Sequence, residues 1–200
     1  LEELINAQAL VIRSRTQITK EFLAKAPALR FIVTATSGFD HIDLQATAEK
    51  GVVVSYTPEA NAQSAAELTW SLVLACTRRL PEAQTAIRRG NWAREALVAT
   101  ELAGKTYGVI GFGRIGRRVA RFAQAFGMQV VAFDPYVDAH NFDELNVSRL
   151  GLDELLRLCD VVSLHVPKTD ETSPLLHPYR FELMQPHAIL INTSRGTALD

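Results

Sequence analysis

Two cysteines, two methionines and no apolar run of membrane-spanning length mark what this 200-residue chain does without. Each scarcity closes off a class of protein. Cys76 and Cys159 have no zinc or redox spacing and are too few for a disulfide framework. They read as buried free thiols of a reducing compartment, which implies the cytoplasm. With no apolar stretch near the roughly 20 residues a spanning helix needs, no membrane partner is expected. Leu1-Glu-Glu has neither the basic region nor the apolar core of a signal peptide. A formal charge of −1 lacks the basic excess of a general nucleic-acid binder. His41, His140, His177 and His187 lack metal-ligand spacing or an obvious acid partner, so no metal is expected and they take surface or loop roles.

What is present is organised around Lys105 to Asp134. A short apolar run with Tyr107, Val109 and Ile110 leads into Gly111-Phe-Gly113-Arg-Ile-Gly116, then an amphipathic helix, then Gln129 to Phe133 ending on Asp134. Strand, glycine turn, helix and strand make the first βαβ unit of a dinucleotide-binding fold. Gly111 permits the tight turn, Gly113 lets backbone approach a pyrophosphate, and Gly116 lets the helix pack on the sheet. The helix N-terminus favours the phosphate charge. Asp134 stands where a carboxylate accepts both hydroxyls of the adenosine ribose. Pro135 and Tyr136 follow it, with no Arg to welcome a 2′-phosphate, so the expected cofactor is NAD rather than NADP.

The rest alternates in the same way. Ala9 to Ile12 and Phe31 to Thr34 read as strands, Thr19 as the N-cap of a helix from Lys20 to Ala26, and Asp43 as the cap of a helix closed by Gly51 before a strand at Val52 to Ser55. Pro58 to Asn61 breaks the pattern and sets a domain boundary, giving domains at 1–59 and 60–200. A helix follows from Ala62 to about Arg79, its buried stripe being Ala66, Trp70, Val73, Leu74 and Thr77. Pro81 opens another, to about Arg89, and Asn91 to Gly104 is irregular. After a polar loop with His140 and Asn141, Asp153 caps a helix from Glu154 to Leu158. Strands at Val161 to Leu164 and Ala188 to Ile191 flank a helix near Tyr179 to Met184. The expected class is α/β with a parallel sheet.

Ligands of open α/β sheets sit off the carboxyl ends of strands, which points to His165-Val166-Pro167 and to Asn192-Thr193-Ser194-Arg195-Gly196. Arg195 has the guanidinium geometry to bind a carboxylate bidentately and polarise a carbonyl, or else caps its loop from the surface. His165 is either a proton donor or an imidazole packed at the edge of the nucleotide pocket. Arg114, Arg117, Arg118 and Arg121 share a solvated helix face, with Arg114 alone near the phosphates.

Together with Cys159-Asp160-Val-Val-Ser-Leu-His165-Val-Pro167, Ser37-Gly38-Phe-Asp-His-Ile-Asp43 and Asn61-Ala-Gln-Ser-Ala-Ala-Glu67, these motifs run in order along nearly the whole chain. The chain resembles the D-2-hydroxyacid dehydrogenases, and within them the phosphoglycerate dehydrogenase branch through Arg13-Ser14, Glu67-Leu-Thr69 and Gly90-Asn-Trp92. The resemblance implies a partial flavodoxin-like substrate domain at 1–59 and a Rossmann-type NAD domain at 60–200, with the active site in the cleft. It implies that Arg195 holds the substrate carboxylate and C2 oxygen, that backbone N–H groups of Ser37 and Gly38 hold the other carboxylate oxygen, and that Asn61 lies near the nicotinamide. It gives Gly113, Arg114 and Ile115 to the pyrophosphate turn, and Asp134, with Pro135, to the ribose. His165, Val166, Pro167 and Thr172 become the adenosine wall, and Thr193 and Ser194 lie beside the nicotinamide ribose. Arg13 matches an arginine contacting phosphoglycerate, and Arg94 is a second phosphate candidate.

The family's proton-transferring histidine and its acid partner have no match among the five histidines here and are expected beyond residue 200. The chain is therefore expected to be part of a longer enzyme, incomplete at both ends. The implied activity is hydride transfer between NAD and C2 of a D-2-hydroxy acid such as 3-phospho-D-glycerate, with a place in serine biosynthesis. Glyoxylate, hydroxypyruvate or lactate are other substrates to weigh. The rival readings are an NAD(H)-sensing corepressor of the C-terminal-binding-protein type and a formate or phosphite dehydrogenase. The helix from Ala62 and the basic helix after it suggest a homodimer or higher homo-oligomer.

Overall fold

Alternating short apolar runs and capped helices give two parallel sheets in the computed structural model, which describes residues 2–92 and 94–200. Ala93, within the stretch read as irregular, lies outside the described residues, as does Leu1. The chain divides into two compact units, Leu1–Ala62 and Gln63–Asp200.

In the first unit, α1 (Glu2–Asn6) precedes β1 (Ala9–Ile12), α2 (Lys20–Ala24), β2 (Phe31–Thr34), α3 (Leu44–Glu49) and β3 (Val53–Tyr56). The strands lie in the order β1-β2-β3, all parallel, with Val11 opposite Val33 and Phe31 opposite Val53. Both expected caps form: Thr19 Oγ1 accepts from Phe22 N at 3.3 Å and Asp43 Oδ1 from Ala46 N at 2.9 Å. Ile12, Ile18, Leu23, Ile32, Ile42 and Val52 close one core. The other face of the sheet leaves Val11, Phe31, Val33 and Val53 exposed. Parallel sheets ordinarily have both faces covered, and here one face of the three strands is open.

From its second residue on, α4 (Ala62–Thr77) belongs to the second unit, and α5 (Leu80–Arg88) follows it. The expected stripe of α4 is buried except for the half-buried Leu74, with Ala66 and Val73 fully so and Trp70 against the rings of Tyr107, Phe122 and Phe126. Cys76 falls off that stripe and is exposed, contrary to the reading of two buried thiols; only Cys159 is buried, and burial pushes its thiol up to about 12. Then come β4 (Thr106–Ile110), α6 (Arg114–Ala125), β5 (Gln129–Phe133), α7 (Ala139–Asp143), β6 (Ser148–Arg149), α8 (Leu152–Leu158), β7 (Val161–Leu164), α9 (Pro178–Glu182) and β8 (Ile189–Asn192). The sheet order is β6-β5-β4-β7-β8, parallel throughout. The order reverses between β4 and β7, which opens the ligand crevice of a doubly wound sheet at their carboxyl ends.

Three local readings need correction. Gly151, not Asp153, occupies the N-cap of α8; Asp153 sits in the first turn and accepts from Arg180 Nε at 3.2 Å. The segment with His140 is the helix α7 rather than a loop, and His140 pairs with Glu144 one turn on at 3.1 Å. His187 keeps its expected surface place, and there, at the amino ends of the strands, it meets Asp160 at 2.9 Å. His41 is buried rather than at the surface, because its ring finds a partner in Thr34 at 3.0 Å.

Candidate functional site

Three glycines shape the crevice, each for a different reason. Gly111 has φ +92°, and a Cβ there would lie 2.7 Å from the carbonyl group of His165, so only glycine lets β4 turn beside β7. At Gly116 a Cβ would stand 2.1 Å from Gly111 O and 2.9 Å from Val109 Cγ1, so the helix sits directly on the turn. At Gly113 a Cβ would meet nothing within 4 Å. The space is open on the side facing the N-terminus of α6, as a pyrophosphate cradle requires. Arg114 is exposed as the first residue of α6, and Ile115 is half-buried against the core.

Asp134 follows β5 directly. Its Oδ2 accepts from Phe112 N at 2.8 Å and its Oδ1 from Tyr136 N at 2.9 Å. The carboxylate is thus fixed against the glycine turn by one bond per oxygen, which leaves lone pairs on both for a diol. Phe112, between the glycines, stacks on Phe142 of α7 at 4.6 Å and anchors the turn in the core. Sequence reasoning passed over that ring pair: an apolar residue between two turn glycines signals that Phe112 is buried but not which ring it meets.

A cleft of about 1080 Å³ is lined by Gly111, Gly113, Asp134, Pro135, His165, Val166, Pro167 and Thr172, among others. Eight of the residues singled out from sequence thus share one concavity. Thr172 Oγ1 donates to Pro167 O at 2.6 Å and holds the far wall, while the Tyr136 hydroxyl bonds the Glu171 carboxylate from the other side. His165 Nε2 lies 2.9 Å from Ser163 Oγ, and desolvation pushes its pKa down to about 4. At neutral pH the imidazole is uncharged.

Thr193, Ser194 and Arg195 follow β8, next to β7 in the sheet. Asn192 organises them: its Oδ1 accepts from Ser194 N at 3.0 Å and Ser194 Oγ at 2.8 Å, and its Nδ2 donates to Arg195 O at 2.8 Å. Thr193 Oγ1 meets Thr69 Oγ1 of α4 at 2.7 Å. The Arg195 side chain is exposed and donates to Ser194 O at 3.0 Å.

In the first unit the carboxyl ends of three adjacent strands bring together Arg13 after β1, Ser37-Gly38 after β2, and Thr57 after β3. Asn61 directly precedes α4. Among the described residues no group of three metal-ligating side chains occurs, and no helix is long and apolar enough to cross a membrane.

Residues 70–200 match the family model of the D-isomer specific 2-hydroxyacid dehydrogenase NAD-binding domain. The chain belongs to that family. The D-3-phosphoglycerate dehydrogenase of Methanocaldococcus jannaschii is 40% identical over 201 residues, covering all of this chain and 38% of that protein. The hydroxypyruvate reductase of Thermotoga maritima is 41% identical over 191 residues, 96% of this chain and 61% of that one. The crystal structure of D-lactate dehydrogenase from Aquifex aeolicus, complexed with NAD and lactic acid, superposes with a TM-score of 0.92 at 38% identity, over all of this chain and 60% of that one. This family member thus spans well under half of the phosphoglycerate dehydrogenase it matches and about three-fifths of the other two. NAD is the family's cofactor, and the open cradle at Gly113 with the fixed Asp134 carboxylate fits it.

Proposed function

We propose that the full-length protein transfers a hydride between NAD and C2 of a D-2-hydroxy acid. The observation that carries the reading is the glycine turn bonded to the ribose-side carboxylate, Phe112 N to Asp134 Oδ2 at 2.8 Å, at the point where the strand order reverses. Bound there, NAD supplies the hydride acceptor and donor. Gly111, Gly113, Arg114, Ile115 and Gly116 form the turn over which its pyrophosphate lies, Asp134 takes the ribose hydroxyls, and Pro135, His165, Val166, Pro167 and Thr172 wall the adenosine. Thr193 and Ser194 flank the nicotinamide ribose.

Arg195 orients the substrate carboxylate and stabilises charge on the C2 oxygen, an electrostatic contribution of about 3–4 kcal/mol for one such donor. The N–H groups of Ser37 and Gly38 take the other carboxylate oxygen, with Asn61 near the nicotinamide. Residues 1–59 serve as substrate domain and 60–200 as NAD domain. Arg13 and, second to it, Arg94 make 3-phospho-D-glycerate the favoured acid, supported by the identity to phosphoglycerate dehydrogenases, and with it a role in serine biosynthesis. The exposed Val11, Phe31, Val33 and Val53 are covered by the remainder of the longer chain. Exposed Leu68, Leu72, Ile87 and Trp92 support a homodimer or higher homo-oligomer, and free thiols suit the cytoplasm.

Arg195→Ala in the full-length protein tests the reading: kcat/KM falls by two to three orders of magnitude, the equivalent of about 3–4 kcal/mol, while NADH binding is retained. Unchanged turnover overturns the assignment.

A further inference from the structure

Beneath the Ser37-Gly38 loop lies a run of hydrogen-bonded side chains that the function above does not use. Thr36 Oγ1 donates to Gly38 O at 2.6 Å. Its hydrogen being spent, it accepts from Thr34 Oγ1 at 2.7 Å, and Thr34 in turn accepts from His41 Nε2 at 3.0 Å. The bonds therefore run one way, from the imidazole through two hydroxyls to the Gly38 carbonyl. Thr34 is fully buried and His41 nearly so, so each unmade bond would leave a polar group stranded. His41 is itself held, its carbonyl accepting from Ile18 N at 2.8 Å.

The second support comes from Thr57, the residue directly after β3. Thr36 O accepts from Thr57 N at 3.2 Å and from Thr57 Oγ1 at 3.4 Å. A peptide group is planar and trans, so fixing the Thr36 carbonyl also fixes the Ser37 N–H, which points the opposite way. Fixing the Gly38 carbonyl does the same for the next peptide plane but one. The Gly38 N–H lies between two pinned planes, in a residue whose backbone would otherwise be the freest in the loop. On the outer flank, Phe39 packs edge-on against Tyr56 with centroids 5.3 Å apart.

We propose that Thr36, supplied by Thr34 and His41 and opposed by Thr57, is a positioning residue that pre-sets the Ser37 and Gly38 N–H groups to receive a carboxylate oxygen. The inference rests on the reading of that loop as the substrate carboxylate site. The oriented N–H pair spares the substrate the entropy of ordering the loop, so its loss raises KM more than it lowers kcat.

The test uses the full-length enzyme with NADH and whichever of 3-phosphohydroxypyruvate, hydroxypyruvate, pyruvate or glyoxylate it reduces. Thr36→Val raises KM for the oxo acid roughly five- to tenfold, with kcat within about twofold and NADH affinity unchanged. Thr36→Ser restores KM. In parallel, oxalate added to the wild-type NADH complex slows amide hydrogen exchange in the peptide spanning residues 35–40, and slows it less in Thr36→Val. Should Thr36→Val fail to fold, Thr36→Ala serves for both readouts. If oxalate protects this peptide in the wild type and equally in the variant, with KM unchanged, the positioning role is overturned and the carboxylate site stands. If oxalate leaves the wild-type peptide unprotected, the carboxylate site itself is wrong and the inference falls with it.

Discussion

Gly113 and Gly116 lie three residues apart in one turn, yet a methyl group added to each should fail in different ways. At Gly116 the new Cβ would sit 2.1 Å from a backbone oxygen, more than an ångström inside the 3.4 Å at which ordinary contact begins. Gly111 O is a backbone atom and cannot yield as the end of a flexible side chain would, so α6 must lift from β4. Overpacking of this kind costs about 1–3 kcal/mol, or a fall in Tm of roughly 2–12 °C for a domain of 150–250 residues. At Gly113 the same methyl meets nothing, and its φ of −79° is ordinary for any residue, so the fold should not notice. The methyl would instead occupy the space for the pyrophosphate and displace charge-assisted bonds worth about 1.5–3 kcal/mol, a 10- to 100-fold loss of NADH affinity. Thermal unfolding and NADH fluorescence titration of full-length Gly113→Ala and Gly116→Ala separate the two effects. A Gly113→Ala protein that binds NADH as the wild type does, or that melts as early as Gly116→Ala, refutes the assignment of the cradle.

Asp134→Ala should narrow the preference for NAD over NADP at least tenfold, because the carboxylate both binds the diol and repels a 2′-phosphate; unaltered selectivity in paired kcat/KM measurements would remove its ribose role. Asp160 offers a test of stability. Partial burial pushes its carboxyl up, but the Thr106 N–H at 2.9 Å, His187 and Lys105 outweigh that and hold it below its usual 3.8. Its contribution is therefore present above that value and lost as pH falls through the lowered pKa. Asp160→Asn should cost about 1–3 kcal/mol at pH 7 and progressively less below pH 4 in urea titrations, and an equal cost at both pH values would contradict the sign.

Where residues act through the backbone or a fixed period, the sequence was legible. The turn glycines, the acid that closes β5 at Asp134, the caps at Thr19 and Asp43 and the buried stripe of α4 all declare themselves by spacing. What depends on pairing between distant segments did not. Gly108 reads as an ordinary strand residue, but a Cβ there would lie 2.6 Å from Leu155 and 2.7 Å from Cys159, so α8 packs where only glycine allows it. The Phe112–Phe142 stack joins one residue before β5 in the sequence to one after it, and periodicity carries no such information. His41 looked like a surface histidine because a loop motif gives no sign of Thr34 buried beneath it. Cys76 failed for the reverse reason, since apolar neighbours along a helix do not set which side of it faces the core.

The measurement that bears most directly on the central claim is NADH formation by the full-length protein on matched D- and L-2-hydroxy acids, with 3-phospho-D-glycerate beside D-lactate and D-glycerate and NADH binding followed in the same samples. The account predicts turnover confined to the D-acids, fastest with 3-phospho-D-glycerate. Tight NADH binding without turnover on any acid would contradict it and favour an NAD(H)-sensing protein instead.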